Sequence, residues 1–161
     1  MGLEVSGLKN ILNQQNNRIA ELCGLADEQL QALKLDDLDN IKSITSHQEY
    51  IGRQMAALEE QRQLIIKEYS RIIGIEIKNF SELQLYTSSE DWDDIQKNRD
   101  EIIDRYQKLK KANELNTLLL KQGLQYTEKL LGVLNPHKSL VYGKSGGVYR
   151  SGGQGIVDTN G

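Results

Sequence analysis

The chain has 161 residues, of which 38% are hydrophobic, 6% are aromatic and 27% are charged, and its net charge is −3. This length is close to that of one domain, and the low aromatic content is typical of long helices that share a narrow apolar stripe. A net negative charge with interleaved acids and bases disfavours binding to nucleic acid or to an anionic membrane.

The cysteine content and the lack of long apolar runs indicate a cytoplasmic protein. The single cysteine, Cys23, cannot form an internal disulfide and is consistent with a reducing compartment. No apolar run approaches the roughly 20 residues of a membrane span, and the first residues lack the pattern of a secretory signal. We therefore expect no membrane span.

Hydrophobic spacing predicts two long helices in the first half of the chain. Apolar residues recur at three- and four-residue steps from about Leu3 to Lys34, and Asp36 or Asp37 is suited to cap a second helix. That helix is predicted to end at Gly74. Its heptad seam favours left-handed packing against a neighbour. The seam consists of Ile41, Ile44, Gln48, Ile51, Met55, Leu58, Arg62, Ile65, Tyr69 and Ile72.

A short element that starts near Ser81 precedes the longest predicted helix, from about Glu90 to Leu134. The run from Thr87 to Trp92 is a strong N-cap signal, and Pro136 prevents the helix from continuing. Its seam consists of Trp92, Ile95, Arg99, Ile102, Tyr106, Leu109, Asn113, Asn116, Leu120, Leu124, Thr127, Leu131 and Leu134.

Composition changes at Pro136, where glycine becomes frequent and the helical period is lost. Glycine at this density makes ordering entropically costly, so residues 136–161 are predicted to form a flexible tail after a domain of residues 1–135. The fold class expected is all-α: an antiparallel bundle of three long helices with a short extra helix and a flexible C-terminal tail.

The residues that could support catalysis or metal binding are few and scattered. His47 and His137 have no second ligand at a suitable spacing, and Cys23 has no histidine nearby in the sequence to act as its base. Gly143-Lys144-Ser145 lacks the earlier glycine of a phosphate-binding loop. We therefore expect no catalytic residues, metal or cofactor, and a protein that is not an enzyme.

The second half of the last helix is apolar on two faces, about 130° apart. One stripe contains Asn116, Leu120, Leu124 and Leu131, and the other contains Leu115, Leu118, Leu119, Tyr126, Leu130 and Val133. Two explanations remain open. Helices 1 and 2 cover one stripe each, or a partner's amphipathic helix docks there through leucine-type anchors.

Three motifs, in this order along the chain, resemble the FlgN family. They are Leu-Glu-Glu-Gln-Arg at 58–62, Asn-Glu-Leu-Asn-Thr-Leu-Leu at 113–119, and Val-Tyr-Gly-Lys-Ser-Gly-Gly at 141–147. The resemblance implies a cytoplasmic chaperone of flagellar type III secretion. Such proteins hold the hook–filament junction proteins FlgK and FlgL before export, and the client contacts the C-terminal helix.

Carried over to this sequence, the resemblance places the client contact between Asn113 and Leu134. The residues expected to bind the client are Asn113, Leu115, Asn116, Leu118, Leu119, Leu120, Leu124, Tyr126, Leu130, Leu131 and Val133. Tyr142 lies where the family keeps a flexible end, which implies a role at the export gate, with FlhA as the partner. The alternatives are a coiled-coil adaptor or homodimeric scaffold, and a chaperone of another secreted flagellar subunit. The oligomeric state stays open.

Overall fold

The computed structural model describes residues 2–134, 138–142 and 148–152, with side chains described for residues 2–125, 128, 129 and 132. Its elements are α1 (Ser6–Lys34), α2 (Leu38–Ile73), a 3₁₀ helix (Phe80–Tyr86), α3 (Ser89–Leu134), β1 (Lys138–Tyr142) and β2 (Val148–Gly152). Three long helices and one short helix confirm the predicted helical fold class.

Consecutive long helices run antiparallel, so that α1 and α3 are parallel. Along α1 and α2, Gln15 donates to Glu59 at 3.2 Å, whereas Gln29, later in α1, donates to Thr45, earlier in α2. Residues near the start of α1 contact residues near the start of α3, and later residues contact later ones. Lys9 bonds to Asp91, and the side chain of Asn116 donates to the carbonyl of Ala26. This is the up-down-up arrangement that short connections produce.

One hydrophobic core joins all four helices where α1 and α3 begin. Its buried residues are Val5, Leu8, Leu12, Tyr69, Leu83, Trp92 and Ile95. Phe80 of the 3₁₀ helix lies 6.1 Å from Trp92 between ring centroids, and the backbone N–H of Leu3 donates to the carbonyl of Tyr86 at 2.7 Å. The connection between α2 and α3 is therefore an integral part of this core.

A second core is formed by α1 and α2 alone, near the turn that connects them. Its buried members are Leu25, Ala32, Ile44 and Ile51. Leu22, Ile41 and Met55 pack against it. No described residue of α3 belongs to this cluster. The pairing of α1 with α2 thus has an apolar interface along most of its length.

The helix ends follow the capping signals in the sequence. The side chain of Asp37 accepts a hydrogen bond from the backbone N–H of Asn40 at 3.1 Å, and that of Ser88 accepts one from Asp91 at 3.1 Å. Gly74 ends α2 in the left-handed region with φ of 78°, and its N–H donates to the carbonyl of Ser70. These positions confirm the predicted caps.

Replacing Gly74 with alanine should lower the free energy of unfolding by about 1 kcal/mol, because a Cβ is strained at this positive φ. The matched control is Gly52→Ala. Gly52 lies inside α2, and a Cβ there meets no atom within 4 Å. That change should raise the free energy of unfolding by about 0.5–1 kcal/mol. Urea denaturation of both variants checks the opposite signs, and equal signs would contradict the capping role.

The predicted seams are only partly buried. In α2, Ile44, Ile51, Leu58 and Tyr69 are buried, but the last position, Ile72, is exposed, so its assignment to the seam is wrong.

The seam of α3 departs further from the prediction. Trp92, Ile95 and Asn116 are buried, whereas Tyr106, Leu120 and Leu124 are exposed. Arg99, Tyr106, Asn113 and Leu120 occupy the same position in successive heptads, and all four are exposed. Ile95 and Asn116, three heptads apart at the other seam position, are both buried. The predicted seam is therefore wrong at those four positions and at Leu124, because only one of its two positions per heptad faces the bundle.

Part of the C-terminal segment has regular structure that the sequence analysis did not predict. β1 and β2 pair antiparallel, from Lys138 opposite Gly152 to Tyr142 opposite Val148. The strand sequences contain valine, leucine and tyrosine, which favour extended backbone, and glycines lie between them in the sequence. By contacts the chain divides into two compact units between Asn116 and Thr117, and the boundary predicted at residues 135–136 falls after α3.

Candidate partner-binding surface

A short stretch of α3 exposes several large apolar side chains. Leu118 is 50% exposed and Leu124 is 40% exposed, and Leu115 and Leu120 are exposed to a similar degree. Leu119 is half-buried. Single exposed leucines are ordinary, but three within residues 118–124 indicate a surface suited to a protein partner. Leu118 lies on one of the two stripes of α3, and Leu120 and Leu124 lie on the other. We call the residues Leu118, Leu120 and Leu124 the leucine surface.

The two asparagines among the predicted contacts have opposite environments. Asn113 is exposed, whereas Asn116 is only 2% exposed. The Asn116 amide Nδ2 donates to the carbonyl of Ala26 at 3.0 Å and to Gln29 Oε1 at 3.1 Å. Asn116 therefore links α3 to α1 through hydrogen bonds. Because its side chain is buried, it is not accessible to a client in this structure.

The remaining predicted residues lie where the structure describes only the backbone. Tyr126, Leu130, Leu131 and Val133 belong to the last part of α3, and their side chains are outside the described set. Tyr142 is the last residue of β1, paired in register with Val148. Its side chain is also outside the described set. Contact of these residues with a client or with the export gate remains a prediction.

Beyond the shared core, the interface between α1 and α3 contains buried polar contacts, which the sequence analysis missed. Asn16 is buried and donates from Nδ2 to Glu101 Oε2 at 2.6 Å. Arg105 donates to both the carbonyl and the side-chain oxygen of Asn16, and the Cys23 thiol donates to the Arg105 carbonyl at 3.4 Å. Burial raises the pKa of the Cys23 thiol, so it stays protonated in this role.

A sequence signal for this interface existed. Residues 13–17 read Asn-Gln-Gln-Asn-Asn, a polar run inside an otherwise amphipathic helix. Two members of that run, Gln15 and Asn16, are buried, and each bonds to a different neighbour. Consecutive buried polar residues indicate a helix with neighbours on two sides, because successive positions are about 100° apart.

Charged and thiol groups in the described residues do not assemble into a metal site. No group of three or more histidine, cysteine, aspartate or glutamate residues among residues 2–134, 138–142 and 148–152 could hold a metal ion. His47 contacts Glu21 at 3.2 Å on the surface. Within the same described segments, none of the helices has the length and apolar character required to cross a membrane.

Comparison with known proteins identifies the family. The family model for FlgN proteins matches residues 1–150, which covers nearly the whole chain and all three motifs noted above. Searches of curated proteins and of solved structures gave no significant match. The resemblance inferred from the motifs is confirmed, and the chain belongs to the FlgN family of flagellar export chaperones.

Proposed function

We propose that this protein is a cytoplasmic chaperone of flagellar type III secretion that binds hook–filament junction proteins of the FlgK and FlgL type through α3. Family membership supports the chaperone role. The observation that carries the choice of site is the leucine surface, whose side chains are exposed to solvent. An apolar surface of this kind suits an amphipathic helix with anchors at i, i+3, i+4 and i+7.

The physical role of the chaperone is to cover a client's apolar helix until export. Burying roughly 600 Å² of that helix at about 25 cal/mol per Å² gives roughly 15 kcal/mol before costs are subtracted. Loss of translational freedom and ordering of side chains remove much of this gain. A reversible complex results. Reversibility is needed because the client must leave the chaperone when it is exported.

Tyr142 is the proposed contact with the export gate component FlhA. The support is its position in the Val-Tyr-Gly-Lys-Ser-Gly-Gly motif, which falls at residues 141–147, inside the range matched by the family. A Tyr142→Ala variant should keep its affinity for FlgK- and FlgL-type clients and lose affinity for the cytoplasmic part of FlhA. Loss of both would mean that Tyr142 serves the client site instead.

Charged substitutions on the leucine surface should weaken client binding. Leu118→Asp and Leu124→Asp each place a carboxylate where the client's apolar face docks, and each should weaken binding of FlgK- or FlgL-type proteins by at least about tenfold. Isothermal titration calorimetry with purified clients measures this. The matched control is Leu64→Asp on α2, because Leu64 is 58% exposed and lies outside the surface. Circular dichroism checks that all variants remain folded.

The same experiment distinguishes the alternatives. If both leucine variants bind junction proteins as the unmodified chain does, the client site lies elsewhere. If the unmodified chain binds filament or cap subunits and not junction proteins, it is a chaperone of another secreted flagellar subunit. If it binds none of them and forms a stable dimer by size-exclusion chromatography, it is a homodimeric scaffold, and the proposed client is wrong.

A further inference from the structure

The compact unit of residues 1–116 contains an open groove between α2 and α3. Its volume is about 790 Å³. Residues of α2 and α3 form its two sides, and residues of α1 form its floor. Leu12 and Ile19 contribute to this floor, Met55 and Ala56 line the α2 side, and Ile103 and Tyr106 line the α3 side. We call this space the α2–α3 groove.

The apolar lining of the groove is exposed to solvent. Tyr106 is 59% exposed and Ile103 is 43% exposed, although Ile95, two turns earlier on the same helix, is fully buried. Beyond the shared core, α2 packs on α1 through a second apolar cluster, and no described residue of α3 belongs to that cluster. Within the unit of residues 1–116, three helices arranged in this way leave one side uncovered, and a fourth helix between α2 and α3 would complete a four-helix bundle.

The charges along the groove favour an acidic occupant. Arg99 and Lys110 line the α3 side, and Arg99 lies 5.7 Å from the centroid of the Phe80 ring. Arg62 on the α2 side forms two hydrogen bonds, of 2.6 and 2.8 Å, with Glu59, which is the only acid among the described residues of the lining. Hydrogen bonding to Arg62 lowers the pKa of Glu59 to about 2, so this pair is ionised and mutually neutralised at neutral pH. The lining therefore has an excess of two positive charges.

We propose that the α2–α3 groove is a second docking surface and that it takes an amphipathic helix of a partner protein whose apolar stripe is flanked by glutamate or aspartate. The apolar stripe packs on Ile103 and Tyr106, and the acids lie opposite Arg99 and Lys110. From Arg99 to Lys110, α3 rises by about 16 Å, so the groove matches about three turns of a helix. The proposal does not depend on which client binds the leucine surface.

The test uses two synthetic peptides with the full chain. Each is a stapled helix of about 14 residues with leucines at i, i+3, i+4 and i+7, and the flanking positions are glutamate in one and lysine in the other. Trp92 is the chain's only tryptophan, and its ring lies 6.1 Å from that of Phe80, which lines the groove, so its fluorescence reports binding. We expect saturable binding of the acidic peptide and binding of the basic peptide that is at least about tenfold weaker.

Substitutions locate the site. Arg99→Glu together with Lys110→Glu should weaken binding of the acidic peptide at least about tenfold and strengthen binding of the basic peptide. The reason is that both positions change from positive to negative charge. The control pair Lys42→Glu and Arg53→Glu makes the same change of charge on exposed residues of α2 outside the lining. A second pair tests shape. Ala56→Phe fills the groove and should abolish binding, whereas Ala57→Phe, on the adjacent exposed residue, should not.

Three results would overturn the proposal. These are equal binding of the acidic and basic peptides, equal weakening by the groove pair and the control pair, and full peptide binding by Ala56→Phe. Because Arg99→Glu removes the contact with Phe80 and alters the environment of Trp92, anisotropy of a labelled peptide serves as the second measurement. Loss of peptide binding in Leu118→Asp with full binding in the groove variants would place the helix on the leucine surface instead.

Discussion

Ile95→Ala is expected to lower the free energy of unfolding by about 3–4 kcal/mol. Ile95 has no exposed surface and lies in the core that joins α1, α2, the 3₁₀ helix and α3. Truncation to alanine removes buried methyl and methylene groups and leaves a cavity that neighbours from four elements cannot easily fill. Because this core holds the start of α3 against the rest of the bundle, its loss affects more than one interface.

Urea unfolding followed by circular dichroism measures this change. Ile103→Ala is the matched control, since it makes the same substitution on the same helix at a residue that is 43% exposed. We expect it to cost less than about 1 kcal/mol, because much of the side chain already contacts water. Similar losses in the two variants would show that α3 is not anchored through Ile95 as described.

Asn116→Asp is expected to cost about 3 kcal/mol at neutral pH, although the two side chains have nearly the same shape. The amide of Asn116 donates to two acceptors, the carbonyl of Ala26 and Gln29 Oε1. A carboxylate has no proton to donate and would place a buried charge against two oxygens. The control is Asn113→Asp, one turn earlier and exposed, which should cost less than about 0.5 kcal/mol.

The pH dependence provides an independent check on Asn116→Asp. Burial and the facing oxygens raise the pKa of the introduced carboxyl in the folded state above its value in the unfolded state. The destabilisation is therefore complete above the folded-state pKa, decreases as the pH falls below it, and is smallest below the unfolded-state pKa. A cost that does not change between neutral and acidic pH, or an equal cost in Asn113→Asp, would contradict the buried hydrogen-bonded placement.

Much of the bundle was predictable because the relevant signals are local. The caps at Asp37 and Ser88 and the end of α2 at Gly74 depend on residues within one turn of the boundary. The buried positions Ile44, Ile51 and Leu58 follow from a period that is visible in α2 alone. The β-hairpin was missed because its high glycine content masked two short runs of strand-forming residues.

The sequence predicted which residues of α3 could form the candidate site, but not which of them are exposed. Periodicity located the leucines of α3 and showed that they occupy two faces, because side-chain direction around a helix depends only on residue number. It could not show which face a neighbouring helix would cover.

That choice belongs to the tertiary structure, since it depends on where α1 and α2 lie relative to each turn of α3. The structure buries Asn116 and leaves Asn113 and Leu118 exposed. It pairs Asn16 with Arg105, although these residues are far apart in the sequence, and it leaves an open groove between α2 and α3. The sequence by itself determined the helices, their ends and the family. The tertiary structure alone decided which apolar surfaces remain exposed to a partner. The burial of a side chain depends on how neighbouring helices pack against it, and the sequence of one helix does not contain that information.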